Sequence, residues 1–265
     1  MTILKKGSTG KEVVALQELL ARRGFPPGLP DGKFGPGTDA AVRAFQRSEG
    51  LVADGEVGSV TLAALRGLPP PPRDDTAMFT VEVVRAMFPR TLVRNIKANL
   101  PGVLDAMRAA GIGDRVSLLM ALATIRAETE QFLPVTEAVS KYNTSPGGKP
   151  FDLYDNRRDL GNKGVPDGRR YPGRGYVQLT GASNYARIGK AIGFDLAGKP
   201  ELANDPVVAG KVLAEFLRAR IVEIKNALVV GDLRGARRIV NGGSHGLDRF
   251  EEAYRAGDAA TGGGK

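Results

Sequence analysis

The sequence predicts a mainly α-helical protein built from a small three-helix unit and a larger helical domain. Three observations point there. Apolar residues recur at helical spacing along most of the chain, most clearly at Leu118, Leu122 and Ile125 in the run GDRVSLLMALATIRAETE. Four successive prolines at 69–72 break that pattern, and a polyproline stretch joins no helix. Ahead of them the chain repeats itself: DGKFGPGTDAAV (31–42) returns as DGEVGSVTLAAL (54–65), offset by 23 residues.

In the first part, 1–66, helices are expected at 10–23, where Val13, Leu16, Leu19 and Leu20 share a face, at 37–48 around Ala41, Val42 and Phe45, and at 59–66. The Asp-Gly pairs make turns. Thr38 and Thr61 are expected close to the helix starts, near the N-cap. GLPPPPRDDTA (67–77) reads as a semi-rigid linker. The second part, 78–256, opens with apolar positions Val81, Val84, Met87, Phe88, Leu92 and Ile96. Its strongest helix is expected within 113–130, and a second long one over 205–228, with Asp205-Pro206 as N-cap and first residue. A short helix at 231–243 is expected to end at glycine, and the tail GDAATGGGK (257–265) to be flexible.

Composition narrows the chemistry. The chain has no cysteine, which excludes disulfides and thiolate metal sites. Its single histidine, His245, falls short of a zinc hydrolase's ligand set and reads as a loop residue. Neither a metal nor a cofactor is expected. The start MTILKKGSTGKEV holds no apolar run of signal-peptide length, and no stretch approaches the roughly 18 apolar residues of a spanning helix. Synthesis in a cytoplasm, without membrane insertion, is the expectation. A net charge of +9 suits a polyanionic partner. Residues 1–66 carry nine Lys/Arg against seven Asp/Glu, so most of the excess lies in the second part. No aromatic-rich basic motif supports nucleic acid as that partner. Nothing signals oligomerisation, and a monomer is expected.

The stretch IRAETEQFLPVTEAV (125–139) sets Glu128, Glu130 and Glu137 among apolar residues. A carboxyl in such company costs free energy unless it is solvated, paired or used. Glu128 falls on the flank of the apolar stripe, three residues after Ile125. Partial desolvation favours a carboxyl's protonated form, which is the form a general acid needs. Glu130 is turned about 200° further round the helix, toward solvent. Glu137 lies beyond Pro134, on a loop. A carboxyl at a helix end and another on a facing loop suit glycoside hydrolysis, where one protonates the leaving oxygen and the other activates water. Spacing alone leaves all three open to a reading as surface or capping acids. YPGRGYVQLTGASNYARIG (171–189) gathers glycines and polar side chains around a short apolar core. Its G-x-G lacks the third glycine of a dinucleotide fingerprint. Tyr176, Gln178, Thr180 and Asn184 are expected to line a groove, because amides and hydroxyls beside aromatic faces suit sugars. Taken alone, this stretch also reads as a simple loop.

Two families share these motifs. GSTGKEVVALQELLARRGF and the two Asp-Gly repeats resemble the type-1 peptidoglycan-binding domain of cell-wall hydrolases, with LQ, DG-x-FG, AV-x-x-FQ and DG-x-x-G-x-x-T in order over nearly all of 1–66. Over roughly 115–250, A-E-T-E-x-F, a second acid nine residues on, G-R-G-x-x-Q-L-T-x-x-x-N-Y and I-V-N-G-G resemble the family 19 glycoside hydrolases, most closely their phage-endolysin branch. The resemblance implies a lysozyme-like α-helical catalytic domain. It implies Glu128 as general acid, Glu137 as general base and Thr180 as the hydroxyl holding the attacking water. It puts Gln178, Asn184 and Asn241 at sugar-binding positions and Arg249 in the cleft wall. Tyr142, within the insert 141–170, is a further candidate contact. Ala127 stands where many members have histidine, and Glu130 and Gln131 where glycines are usual. The family is inverting, so carboxyls about 6.5–9.5 Å apart are expected.

The implied protein is an endolysin that binds bacterial peptidoglycan and cuts its β-1,4 glycan backbone as an N-acetylmuramidase. It would reach the wall once a holin-type protein opens the membrane. A chitinase and a non-catalytic wall-binding protein are the competing readings.

Overall fold

The computed structural model describes residues 3–51, 53–68, 73–241 and 246–262. The chain divides into two compact units, Met1–Pro72 and Arg73–Lys265. The fold is mainly α, as the periodicity predicts. Among the described residues, twelve α-helices accompany one sheet of two strands.

In the first unit α1 (Lys11–Arg22), α2 (Pro36–Ser48) and α3 (Ser59–Leu65) pack around Val13, Leu16, Leu20, Phe34, Val42, Phe45, Val57 and Leu65. The repeat in the sequence is a repeat in structure. Gln17 is buried on α1, and its Nε2 donates to Asp31 Oδ1 (3.0 Å), the Lys33 carbonyl (3.2 Å) and Thr38 Oγ1 (3.1 Å). Its Oε1 accepts from Gly32 N–H at 3.0 Å. Gln46 on α2 does the same for Asp54 (2.8 Å), the Glu56 carbonyl (2.9 Å), Thr61 (3.3 Å) and Gly55 N–H (3.0 Å). A buried amide must be satisfied, so each glutamine clamps an Asp-Gly turn onto the next helix. The donated hydrogen bonds hold both aspartates below the usual carboxylate range: chiefly the Gln17 amide for Asp31, and the Glu56 N–H followed by Gln46 for Asp54. The threonines lie near the helix starts, as expected. The N-caps are Gly35 and Gly58, and Thr38 and Thr61 sit inside the first turn, as acceptors for the buried amides.

The second unit is laid round a central helix. In chain order it contains α4 (Val81–Met87), α5 (Val93–Ala109), α6 (Arg115–Glu128), strand β1 (Val135–Thr136), α7 (Asp167–Arg170), strand β2 (Arg174–Gly175), α8 (Ala182–Ile192), α9 (Pro206–Arg218), α10 (Ile221–Val229), α11 (Leu233–Asn241) and α12 (Leu247–Ala260). Every residue from Ser117 to Ala127 of α6 is buried. A helix apolar on all sides belongs inside a core. Asp114 caps its start, accepting from Ser117 N–H at 3.2 Å. α12 runs along α6 and α4, and α5 packs on α9. No helix among the described residues is long and apolar enough to cross a membrane.

Three segments differ from expectation. The helix foreseen over 205–228 is two helices that break at Ala219 and Arg220. Asp205 caps the first as predicted, accepting from Val207 and Val208 N–H at 3.0 Å each. No glycine or proline marks the break; packing imposes it, and Ile224 on α10 is fully buried in the core. Residues 73–77, placed in the linker, are bonded into the second unit. Asp75 N–H donates to the Gly113 carbonyl (2.8 Å), and Asp74 Oδ2 pairs with Arg108 at 2.8 Å. The four prolines lie outside the described residues. The supposed tail is helical to Ala260, because Asp258 pairs with Arg115 at 2.7 Å and Gly257 is pressed against the core.

Candidate active site

Glu128 is the last residue of α6, where the buried helix reaches the surface. Its side chain is 12% exposed, and its Oε1 accepts from Arg237 Nη2 at 2.6 Å. Arg237 is itself fully buried. α11 puts Leu233, Ala236, Arg237 and Val240 on one buried face, and the guanidinium lies 5.8 Å from the centre of the Phe250 ring. A buried guanidinium requires acceptors, and Glu128 Oε1 is one of them. The sequence argument weighed only desolvation at Glu128 and did not contain this charge. Glu130 points to solvent as foreseen, 3.6 Å from Arg126 and 3.5 Å from Arg249.

Glu137 follows β1, which pairs antiparallel with β2 through Val135 with Gly175 and Thr136 with Arg174. That pairing brings the acid to Gly173, whose N–H donates to Glu137 Oε1 at 2.6 Å while Glu137 N–H donates to the Gly173 carbonyl at 2.8 Å. The second oxygen, Oε2, accepts from Asn143 Nδ2 and Tyr154 hydroxyl, both at 3.2 Å. Burial, with Glu137's charge adding to it, pushes the Tyr154 phenol up to about 12, so it stays a donor. Both oxygens of Glu137 are thus fixed by donors, which an acceptor-only carboxylate suits.

The G-R-G-x-x-Q-L-T motif is a tight hairpin. Arg174 N–H donates to the Leu179 carbonyl (3.1 Å) and Leu179 N–H to the Arg174 carbonyl (2.8 Å). At its tip Gln178 adopts a left-handed φ of 52°, a strain of about 1–3 kcal/mol. Its Nε2 donates back to the Val135 and Gly175 carbonyls at 3.0 and 3.1 Å, locking hairpin to β1. Thr180 Oγ1 donates to the Gln178 carbonyl at 2.8 Å, which leaves the oxygen's lone pairs available. These side chains converge on Gly173. A Cβ there would lie 2.9 Å from Gln178 Oε1 and 3.3 Å from both Glu137 Oε1 and Thr180 Oγ1. A methyl group would fill a space bordered by the two oxygens.

The remaining candidates fall in several places. Tyr176, expected to line a groove, is fully buried in the core, its ring 6.0 Å from Phe132. The turn of the hairpin buries Tyr176 together with Val177, so it supports the site from below. Asn184 is half-buried, and its Nδ2 donates to the Thr180 carbonyl at 2.9 Å, tying α8 to the hairpin. Tyr142 is 79% exposed. Arg249 lines a cavity of about 330 Å³ with Arg234 and Asp248. Asn241 ends α11; its side chain, and His245, lie outside the described residues. Among the described residues no group of His, Cys, Asp and Glu gathers to hold a metal. Sequence reasoning missed Arg237, Asn143 and Tyr154. Arg237 had a signal, since it interrupts the apolar face of α11; the others had none.

Residues 9–65 match the peptidoglycan binding domain family, and residues 153–221 match the chitinase class I family. The chain is thus similar to a peptidoglycan binding domain in its first unit and to class I chitinases in its second. The second match takes in Tyr154, Gly173, Gln178 and Thr180, while Glu128 and Glu137 precede it. A glycosyl hydrolase family 19 domain-containing protein of Haemophilus influenzae is 28% identical over 126 residues, which is 48% of this chain and 60% of that protein. The spore cortex-lytic enzyme of Bacillus cereus is 42% identical over 59 residues, 22% of this chain and 23% of that enzyme. The chain therefore spans less than two thirds of either relative's length. Chitinase C of Streptomyces griseus shares the fold, with a TM-score of 0.50 at 21% identity over 70% of this chain and 77% of the chitinase.

Proposed function

We propose that this protein hydrolyses the β-1,4 glycosidic bonds of bacterial peptidoglycan as an inverting N-acetylmuramidase, and that it serves as a phage endolysin in host lysis. The observation that carries the mechanism is the unequal setting of the two acids. Glu128 stands at the end of a buried helix against a single buried guanidinium. Glu137 is held by three donors beside a space it shares with Thr180. In this reading the acid form of Glu128 gives its proton to the departing glycosidic oxygen, and Arg237 holds the carboxylate that remains. Glu137 takes a proton from water as that water attacks the anomeric carbon from the opposite face. Thr180, its hydrogen already given to the Gln178 carbonyl, accepts the water's other hydrogen and orients it.

The substrate is supported by the domain pairing. A wall-binding module raises the local concentration of the glycan around the catalytic domain without adding a catalytic contact. The basic charge of the chain favours an anionic wall, and this attraction weakens with salt. The likeness to chitinases makes chitin the second substrate to try. The test is release of reducing ends from purified sacculi and from colloidal chitin by the intact protein and by Glu128→Gln and Glu137→Gln. Removing an acid or base costs about 10²–10⁴-fold in rate. The proposal expects sacculi to be cut and both variants to fall within that range while still pelleting with sacculi. Faster attack on chitin than on sacculi would replace the substrate, and full activity in either variant would remove that residue from the mechanism.

A further inference from the structure

The two copies of the repeat in the first unit treat their arginines differently. In the first copy Arg43 Nε donates to Asp39 Oδ2 at 3.0 Å and its Nη1 to the Ala53 carbonyl at 2.7 Å. The same 23-residue offset puts Leu62 in the place of Asp39 and Arg66 in the place of Arg43. Arg66 is exposed and makes no ion pair among the described residues. Leu62 and Arg66 instead line a cleft of about 710 Å³, together with Leu4, Leu16, Leu19 and Glu12. Glu12, in the first turn of α1, is also exposed and without an ion pair among the described residues. The cleft therefore has an aliphatic floor and two uncommitted charges of opposite sign. No aromatic ring is among its lining residues, and Phe34 and Phe45 of this unit are buried in the core.

We propose that this cleft binds the stem peptide of peptidoglycan, with Arg66 taking a carboxylate, Glu12 the ammonium of the diamino acid, and the leucines the alanine methyl groups. The proposal rests on the peptidoglycan reading given above. A glycan strand presents flat ring faces and hydroxyls, which call for an aromatic platform and a set of amides; this cleft offers neither. A short peptide of alanine, an acid and a diamino acid presents methyl groups and charges of both signs, which match the floor and rim. The volume falls within the roughly 300–1,000 Å³ of ordinary ligand pockets. The exchange of Asp39 for Leu62 between copies is the step that frees the second arginine and greases the floor beside it.

The repeat also supplies the test. Leu62→Asp should restore in the second copy the pair that Asp39 makes with Arg43, closing the site. Arg66→Glu, at an exposed position, reverses the charge without touching the core. The full chain carrying Glu128→Gln is titrated calorimetrically with the tetrapeptide L-Ala-γ-D-Glu-meso-diaminopimelyl-D-Ala and with N-acetylglucosamine tetramer, with thermal melting as the check on folding. The expected result is saturable tetrapeptide binding that falls at least tenfold in both variants, with unchanged binding of the sugar tetramer and, for the exposed Arg66→Glu, unchanged melting. Tetrapeptide binding unaltered in a folded Arg66→Glu protein would overturn the proposal. So would failure to bind the peptide by a protein whose wild type digests sacculi, and that outcome leaves the catalytic reading standing. Peptide binding by a protein that digests nothing would leave this proposal standing and remove the catalytic one.

Discussion

Tyr154 and Arg237 hold the two acids and touch no reacting atom in the proposed mechanism. Tyr154→Phe removes one donor from Glu137 and leaves the ring beside Phe151, whose centroid is 6.5 Å away. A lost hydrogen bond of about 1 kcal/mol corresponds to about a fivefold fall in kcat with KM little changed; steady-state kinetics on a soluble glycan oligomer checks this, and an effect confined to KM contradicts it. Arg237→Met takes the cation from a pair whose members are 0% and 12% exposed. Breaking such a pair costs about 3 kcal/mol of stability. In a double-mutant cycle, Arg237→Met together with Glu128→Gln should cost less than the sum of the two, and additive urea midpoints would deny the coupling. Arg237 also marks where sequence reading stopped. The acids were legible because carboxylates in apolar company require an explanation. The guanidinium was hidden, because its partner is 109 residues away in sequence and only the fold brings them together.

At the level of elements, the caps and packing of α6 control how Glu128 is presented. Burial works to raise the Asp114 carboxyl, but hydrogen bonds from Lys225 Nζ (2.7 Å) and Ser117 outweigh it, and the net effect is to lower it. A carboxylate lowered on folding contributes stability above its unfolded value of 3.8, and the contribution is lost as the pH falls through the folded value. Asp114→Asn keeps an N-capping side chain and removes the charge. Its unfolding midpoint should be lower than wild type at pH 7 and converge with it as the pH falls through the folded value; a constant difference down to acid pH would contradict the linkage. α12 backs the same helix. A chain ended at residue 256 loses the Arg115–Asp258 pair, the Arg115–Thr261 hydrogen bond and the Gly257 contact with Leu119 and Met87. It should melt several degrees lower, whereas an unchanged Tm would mean that the segment is the free tail its composition suggests. That misreading has a simple origin: glycine and alanine carry little hydrophobic signal, and Gly257 is valuable because it lacks a side chain where α12 meets the core. The break at 219–220 was equally invisible, since no local residue makes it.

For the whole molecule, the division into a small and a large unit was legible from the prolines and the repeat, because both are chain-local signals. The two-residue strands were not, although they bring Glu137 to Gly173. Pairing between β1 and β2 joins residues about 40 positions apart, and two residues are too few to show a period. Tyr176 was misplaced for the related reason that hairpin geometry decides which side of the motif faces inward. The functional account depends on both units: one to hold the wall, one to cut its glycan. The most direct measurement is mass spectrometry of purified peptidoglycan digested by the intact protein and reduced with borohydride, with Glu128→Gln as control. The account predicts reduced muramitol ends from the wild type and none from the variant. Glucosaminitol ends would move the cut to the other glycosidic bond, and anhydro ends, which form without attacking water, would contradict the role given to Glu137.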